Sequence, residues 1–115
     1  MIFTELDLGG SRKGTLKLSS TVEIDPERRV IVLHGEIDMA NAAELRTAIA
    51  EADWMDGGPV DVDLSDLRFI DSSGISALLL ATERGSSLIL RGPTPPVRRV
   101  FEVLNLDTAA GIEIA

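Results

Sequence analysis

The chain has 115 residues and a formal net charge of −8, from 19 acidic and 11 basic side chains. Hydrophobic residues make up 44% of it and aromatic residues 3%, so one domain with a core of Val, Ile, Leu and Ala is expected. The acidity argues against nucleic acid and anionic membranes as partners, and the lack of cysteine with a single histidine, His34, excludes thiolate and multi-histidine metal sites.

The N-terminus shows no basic region followed by an apolar run, and no stretch approaches the roughly 20 apolar residues that cross a bilayer. We therefore predict a cytoplasmic protein without membrane contact. Residues 1–14 contain Gly9-Gly10 and Gly14 among polar neighbours, which predicts a flexible N-terminal appendage. Residues 15–115 are predicted to form the single domain.

The first predicted elements form an antiparallel hairpin. Residues 15–24 alternate apolar and polar side chains, which predicts a strand, and residues 30–33 predict a second, more buried strand. Asp25-Pro26-Glu27-Arg28 lies between them as a turn, because proline fixes φ and aspartate bonds the backbone.

A helix and a strand follow the hairpin. Asn41 is the predicted N-cap, and Glu44 stands where it completes a capping box. The apolar residues that follow have helical spacing, and the helix is predicted to end near Ala52. Residues 60–64 alternate valine or leucine with aspartate, which is typical of a strand with one polar face.

The second half of the chain repeats the strand-then-helix pattern. A second helix ending near Gly85 is followed by a predicted strand at residues 87–90. Thr94 is the predicted cap of a third helix that opens with Pro95, and residues 111–114 are a predicted closing strand. This order predicts an α/β fold, with a mixed and largely parallel β-sheet packed with α-helices.

The most informative segment is Asp71-Ser72-Ser73-Gly74, between an apolar strand end and a helix start. A serine here caps the helix, since its hydroxyl accepts a backbone N–H bond. The same position exposes a hydroxyl where helix N–H groups and the helix dipole favour a phosphate, which adds about −1.5 to −2 charges. The two roles are compatible, so the segment is also a candidate phosphorylation site.

Other candidate groups have weaker patterns. A serine hydrolase needs a base, but His34 is the single candidate and the Gly-x-Ser-x-Gly elbow is absent, so we predict no enzymatic activity. Asp61 and Asp63 are interpreted as the polar face of a strand or as charges that protect a sheet edge, and Arg98-Arg99 as a solvated helix face. Asp38 lies at a strand-to-helix junction, where functional groups gather, and its role is left open between structure and function.

Four segments together resemble the STAS domain and, within it, the bacterial anti-sigma factor antagonists. They are Gly35-Glu36-Ile37-Asp38, Val60-Asp61-Val62-Asp63-Leu64-Ser65, Phe69-Ile70-Asp71-Ser72-Ser73-Gly74 and Pro93-Thr94-Pro95-Pro96-Val97-Arg98-Arg99-Val100-Phe101. The resemblance spans residues 15–107 and implies a STAS-like fold that lacks the usual last helix. The predicted domain at residues 15–115 is therefore interpreted as a STAS domain.

The resemblance implies a phosphorylation switch. In this family the unphosphorylated protein binds an anti-sigma factor with a histidine-kinase-like ATPase fold, which frees the sigma factor. The partner then phosphorylates the serine after the aspartate, here Ser72 with Ser73 as the second choice. This ends the contact, and a serine phosphatase restores it. The ATP belongs to the partner, so the chain itself is expected to need no cofactor.

The resemblance also implies a partner-binding face. Its residues here are Asp38, Asp71, Ser72, Ser73, Gly74 and Ile75. The second helix is about a turn shorter than is usual in the family and the last helix is missing, which leaves apolar surface for a homodimer. The same departures fit an alternative function, that of a non-switching STAS scaffold subunit in a signalling or lipid-transport assembly.

Overall fold

The computed structural model of the chain describes residues 16–17, 19–51, 59–83, 85 and 87–115. The predicted appendage at residues 1–14 and the predicted helix end near Ala52 lie outside the described residues. The strands are β1 (Leu16–Lys17), β2 (Val22–Asp25), β3 (Val30–Ile37), β4 (Pro59–Ile70), β5 (Ser87–Arg91) and β6 (Ile112–Ile114). The helices are α1 (Ala42–Glu51), α2 (Ser72–Glu83) and α3 (Pro95–Val103), followed by a 3₁₀ turn at Leu106–Thr108.

The six strands lie side by side in chain order. β1 pairs antiparallel with β2 and β2 with β3, whereas β3, β4, β5 and β6 are parallel neighbours. Parallel neighbours need crossover connections, and α1, α2 and α3 lie in these connections. The predicted α/β fold with a mixed sheet and an antiparallel first hairpin is therefore confirmed. In the ranges described above, no helix is long and apolar enough to cross a membrane.

The segment predicted as one strand at residues 15–24 contains two strands instead. The Ser19 hydroxyl oxygen accepts hydrogen bonds from the backbone N–H groups of Thr21 and Val22, each at 3.2 Å. These bonds stabilise a reversal, so β1 turns back on β2 and Leu16 pairs with Ile24. The alternating pattern does not reveal this reversal, because serine and threonine also occur as polar positions within strands.

The strand β4 is longer than the sequence predicts. It continues from residues 60–64 through Ser65–Arg68 to Ile70, as one strand of 12 residues. Its pairing with β3 shifts register between Val32 and His34 and again between Gly35 and Glu36. An extra residue at a bulge changes which side chains face the core, so the two-residue period that predicts strands is lost there.

The sheet has one buried face and one open face. The buried face packs against the helices. Its fully buried side chains include Ile31, Leu33, Leu64 and Leu88, and α3 contributes Phe101 to the same core. On the other side, two rows of register partners cross the strands. One row is Val30, Asp61, Ile89 and Glu113, and the other is Glu23, Val32, Asp63 and Arg91. These side chains, with His34 and Asp66, are half-buried or exposed and form what we call the open face.

Candidate functional site

The carboxyl ends of β3 and β4 meet at one edge of the sheet. Ile37 and Ile70 are register partners at these ends, and Asp38 and Asp71 directly follow them. The Asp71 N–H donates to the Ile37 carbonyl oxygen at 3.1 Å, which ties the two junctions together. Neighbouring strands lie about 4.8 Å apart. The structure therefore places Asp38 beside the Asp71–Ser73 segment, which is the arrangement that the family resemblance implies.

The N-cap of α2 is Asp71. Its Oδ1 atom accepts hydrogen bonds from the N–H groups of Ser73 at 2.8 Å and Gly74 at 3.2 Å. Its carbonyl oxygen accepts the helical bond from the Ile75 N–H at 3.0 Å. The prediction that a serine caps this helix is therefore wrong by one residue. Aspartate and serine are about equally favoured at an N-cap, so the local pattern does not separate them.

Loss of this cap should destabilise the protein. We expect Asp71→Ala to lower the free energy of unfolding by about 1 kcal/mol, because two helix N–H groups lose their acceptor. Asp71→Asn keeps an acceptor oxygen in place and should recover most of that loss. Urea unfolding followed by circular dichroism measures both variants. An Asp71→Ala protein as stable as the wild type would contradict the cap assignment.

The Ser72 side chain is the exposed group at this junction. Ser72 is the first residue of α2, and its side chain is exposed, whereas Ser73 is half-buried. Within the ranges that the structure describes, the Ser72 hydroxyl has no hydrogen-bond partner. The first turn of α2 also contains no acidic residue. A negatively charged group on Ser72 would therefore lie at the positive end of the α2 dipole without displacing an existing contact.

Gly74 and Ile75 lie beneath this surface. A Cβ atom on Gly74 would stand 2.6 Å from Ile70 Cγ1 and 2.8 Å from Ile37 Cγ2, so α2 begins in direct contact with the two strand ends. Ile75 is 4% exposed and belongs to the core. The sequence prediction placed both residues on the partner-binding face, but their burial gives them a supporting position instead.

The turn that contains Asp38 is held by side-chain bonds. Asp38 Oδ1 accepts from the Ala40 N–H at 2.9 Å, and the Asp38 N–H donates to Asn41 Oδ1, also at 2.9 Å. The Asn41 Nδ2 group donates to the Glu36 carbonyl oxygen at 2.9 Å. The Asn41 side chain thus bonds residues that precede α1 instead of the N–H groups of its first turn. The Glu44 carboxylate accepts from Thr21 Oγ1 at 3.3 Å, so the predicted capping box is not formed.

Met39 lies in this turn and was not predicted as a site residue. Its side chain is 80% exposed, directly after Asp38. Phe69, one residue before the end of β4, is 43% exposed. Exposed apolar side chains beside polar ones are typical of protein-contact surfaces, and methionine adapts readily to a partner. The signal in the sequence is an apolar residue inside a turn, outside the periodic pattern of either neighbouring element.

His34 is engaged away from Ser72. Its Nδ1 atom lies 2.6 Å from Asp66 Oδ2, and its Nε2 atom lies 3.1 Å from Glu23 Oε2. From Asp66, β4 rises about 13 Å further to Ile70 before α2 begins. Both ring nitrogens are occupied on the open face, so the structure forms no Ser72–His34 pair. Over the part of the chain that the structure describes, no group of three or more His, Asp or Glu residues is placed to hold a metal ion.

Comparisons with known proteins point to one family. The family model described as "Mlab, STAS domain" matches residues 20–114. An anti-sigma-B factor antagonist of Listeria monocytogenes is 28% identical over 89 residues, which cover 74% of this chain and 78% of that protein.

Solved structures show the same fold. An anti-sigma factor antagonist from Mycobacterium paratuberculosis superposes with a TM-score of 0.59 at 28% identity, covering 86% of this chain and 83% of that one. The anti-sigma factor antagonist SpoIIAA in its unphosphorylated form gives a TM-score of 0.61 at 24% identity, covering 88% and 85%. The phosphorylated form of Bacillus SpoIIAA gives 0.55 at 24% identity, covering 88% of each chain.

Proposed function

Because the chain belongs to the STAS domain family, we propose that it is an anti-sigma factor antagonist whose binding is switched by phosphorylation of Ser72. The unphosphorylated chain binds an anti-sigma factor with a histidine-kinase-like ATPase fold and so frees a sigma factor. The partner phosphorylates Ser72 and the complex dissociates, and a serine phosphatase reverses the modification. Relatives named as anti-sigma factor antagonists support this role.

The observation that carries the proposal is the position of Ser72. It is the first residue of α2, its side chain is exposed, and Asp71 rather than Ser72 caps the helix. A phosphoryl group can therefore be added without breaking a hydrogen bond that the fold needs. Ser73 fits less well, because it is half-buried. Ser72 is thus the proposed phosphorylation site and Ser73 the second choice.

The proposed switch is electrostatic. A phosphate adds about −1.5 to −2 charges beside the carboxylates of Asp38 and Asp71. Within the chain, the N–H groups and dipole of α2 offset part of this charge. On a bound partner, the same charge has to be desolvated against a surface that fits an uncharged hydroxyl. SpoIIAA has been solved in both phosphorylation states with this fold, which supports a switch without refolding.

We further propose that the chain acts by binding alone. The engagement of His34 with Glu23 and Asp66 supports a non-catalytic Ser72. The ATP for phosphorylation is supplied by the partner, so the chain needs no cofactor of its own. The proposed domain is residues 15–115, and a partner that controls a sigma factor places the complex in the cytoplasm.

The test starts from a pull-down in the source organism's lysate with the wild-type chain as bait. The captured ATPase is then incubated with ATP and purified wild-type, Ser72→Ala or Ser73→Ala chains, and phosphate is mapped by mass spectrometry. We expect one phosphate on Ser72 in the wild-type and Ser73→Ala chains and none on Ser72→Ala. Phosphate on Ser72→Ala at the wild-type level would refute the site.

The same experiment separates the switch from the scaffold alternative. A non-switching STAS subunit of a signalling or lipid-transport assembly would be captured in a large complex that ATP does not release. It would also acquire no phosphate from its partners. That result would mean that Ser72 is the first residue of α2 without a regulatory role.

A further inference from the structure

The open face combines apolar side chains with more acidic than basic side chains. Val30, Val32 and Ile89 lie half-buried along its middle. Its acidic residues are Glu23, Asp61, Asp63, Asp66 and Glu113. Arg91 binds Asp61 at 2.9 Å, His34 bonds Glu23 and Asp66, and Lys17 is the register partner of Glu23. Carboxylates still outnumber the basic side chains on this face. An apolar strip bordered by negative charge is complementary to a helix face that carries both apolar and cationic side chains.

The outward side of α3 has that composition. Val97 and Phe101 bury the inner side of the helix, so Arg98, Arg99 and Val103 face outward, and Val103 is 71% exposed. In the part of the chain that the structure describes, neither arginine forms an ion pair, although Glu102 lies one turn after Arg98. Arg99 is the central residue of the nine in α3 and Arg98 precedes it, so neither lies in the last turn, where the helix dipole favours a cation.

From these two surfaces we infer that copies of this chain associate head to tail, with α3 of one copy seated on the open face of the next. α3 has 9 residues and is about 14 Å long. Strands β2 to β6 span about 19 Å, so the helix fits within the face. This contact is independent of the Ser72 switch.

The geometry also determines the form of the association. α3 packs on the buried face of the sheet, on the opposite side from the open face, so two copies cannot exchange both contacts. The contact is heterologous and repeats from copy to copy instead of closing as a symmetric dimer. One helix on one sheet face is a small interface, so the association is expected to be weak and to depend on concentration.

Sedimentation equilibrium of the purified full chain tests the contact. At about 1 mM and low salt, the wild type should show a weight-average mass above the monomer value of 12.3 kDa, and added salt should lower it. Arg99→Glu should weaken association at least about fivefold, through loss of charge complementarity. The matched control is Arg46→Glu on α1, which makes the same charge change at an exposed position and should leave association unchanged.

The acidic side of the contact is tested in the same way. Glu113→Arg should weaken association, whereas Glu83→Arg at the end of α2 should not. Mixing Arg99→Glu with Glu113→Arg should restore part of the association, because an α3 with an added carboxylate then meets an open face with an added cation. A monomeric wild type at about 1 mM, or equal weakening by Arg99→Glu and Arg46→Glu, would overturn the inference. Weakening by Arg99→Glu without weakening by Glu113→Arg would also overturn it, since α3 would then bind elsewhere.

Discussion

We expect Gly74→Ala to lower the free energy of unfolding by about 1–3 kcal/mol, as overpacking does in well-packed cores. The new Cβ would meet Ile70 Cγ1 at 2.6 Å, Ile37 Cγ2 at 2.8 Å and Ile70 Cδ1 at 2.9 Å. Both isoleucines are fully buried and β-branched, so they have few alternative rotamers, and the start of α2 has to move instead. Alanine is the better helix former, so any destabilisation arises from this contact.

Urea unfolding of the full chain measures the effect, with Ser76→Ala as the control. Ser76 is exposed in the same helix, so its replacement should change the stability by less than about 0.5 kcal/mol. A double-mutant cycle with Ile70→Val should show coupling, because the shorter side chain removes the Cδ1 contact. Wild-type stability of Gly74→Ala would mean that α2 does not pack this closely on the strand ends.

The order of the elements was predictable because each has a strong local pattern. In β4 the Val-Asp-Val-Asp-Leu alternation indicates a strand with one buried face, and in α3 the i, i+4 spacing of Val97 and Phe101 indicates a helix with one buried side. The alternation of strands with helices then implies parallel neighbours. The bulges in β4 and the reversal at Ser19 were not predictable, because they depend on how each strand pairs with its neighbour in the sheet.

At the helix N-termini, the sequence predicts the position of the first residue but not its hydrogen bonds. The sequence placed the starts of α1 and α3 correctly, at Ala42 and Pro95, but not the bonds at those starts. The Thr94 hydroxyl donates to the Leu67 carbonyl oxygen at 2.7 Å instead of capping α3. Asn41 likewise bonds the end of β3. In both cases a tertiary neighbour competes with the local cap, and a sequence pattern contains no information about that neighbour.

Apart from Asp38, the candidate site was predicted as one contiguous segment, residues 71–75, and the structure places its members at different depths. Asp71 and Ser72 are at the surface junction because they precede or open α2, whereas Gly74 and Ile75 turn inward within the first helical turn. A helix changes direction by about 100° per residue, so neighbours in sequence do not share a face. Met39 was missed for the opposite reason, because only the fold brings its turn beside α2.

We expect Ser72→Asp to weaken binding to the anti-sigma factor at least about tenfold, which corresponds to about 1.4 kcal/mol. Asp71 already caps α2, so a carboxylate at Ser72 should change the charge of the surface without changing the fold. Calorimetric titration of the captured partner into each purified variant measures the affinity. The loss should become smaller at high salt, because Ser72 is exposed and its charge is screened there.

Two control variants distinguish the charge from other effects of the substitution. Ser72→Asn adds nearly the same volume without charge and should bind within about threefold of the wild type. Thr47→Asp adds the same charge at an exposed position on α1 and should leave the affinity unchanged. Equal losses for Ser72→Asp and Ser72→Asn would make the switch steric instead of electrostatic. If Ser72→Asp binds with wild-type affinity, a charge switch at this serine is ruled out, because the variant then carries a negative charge at this position without any loss of binding.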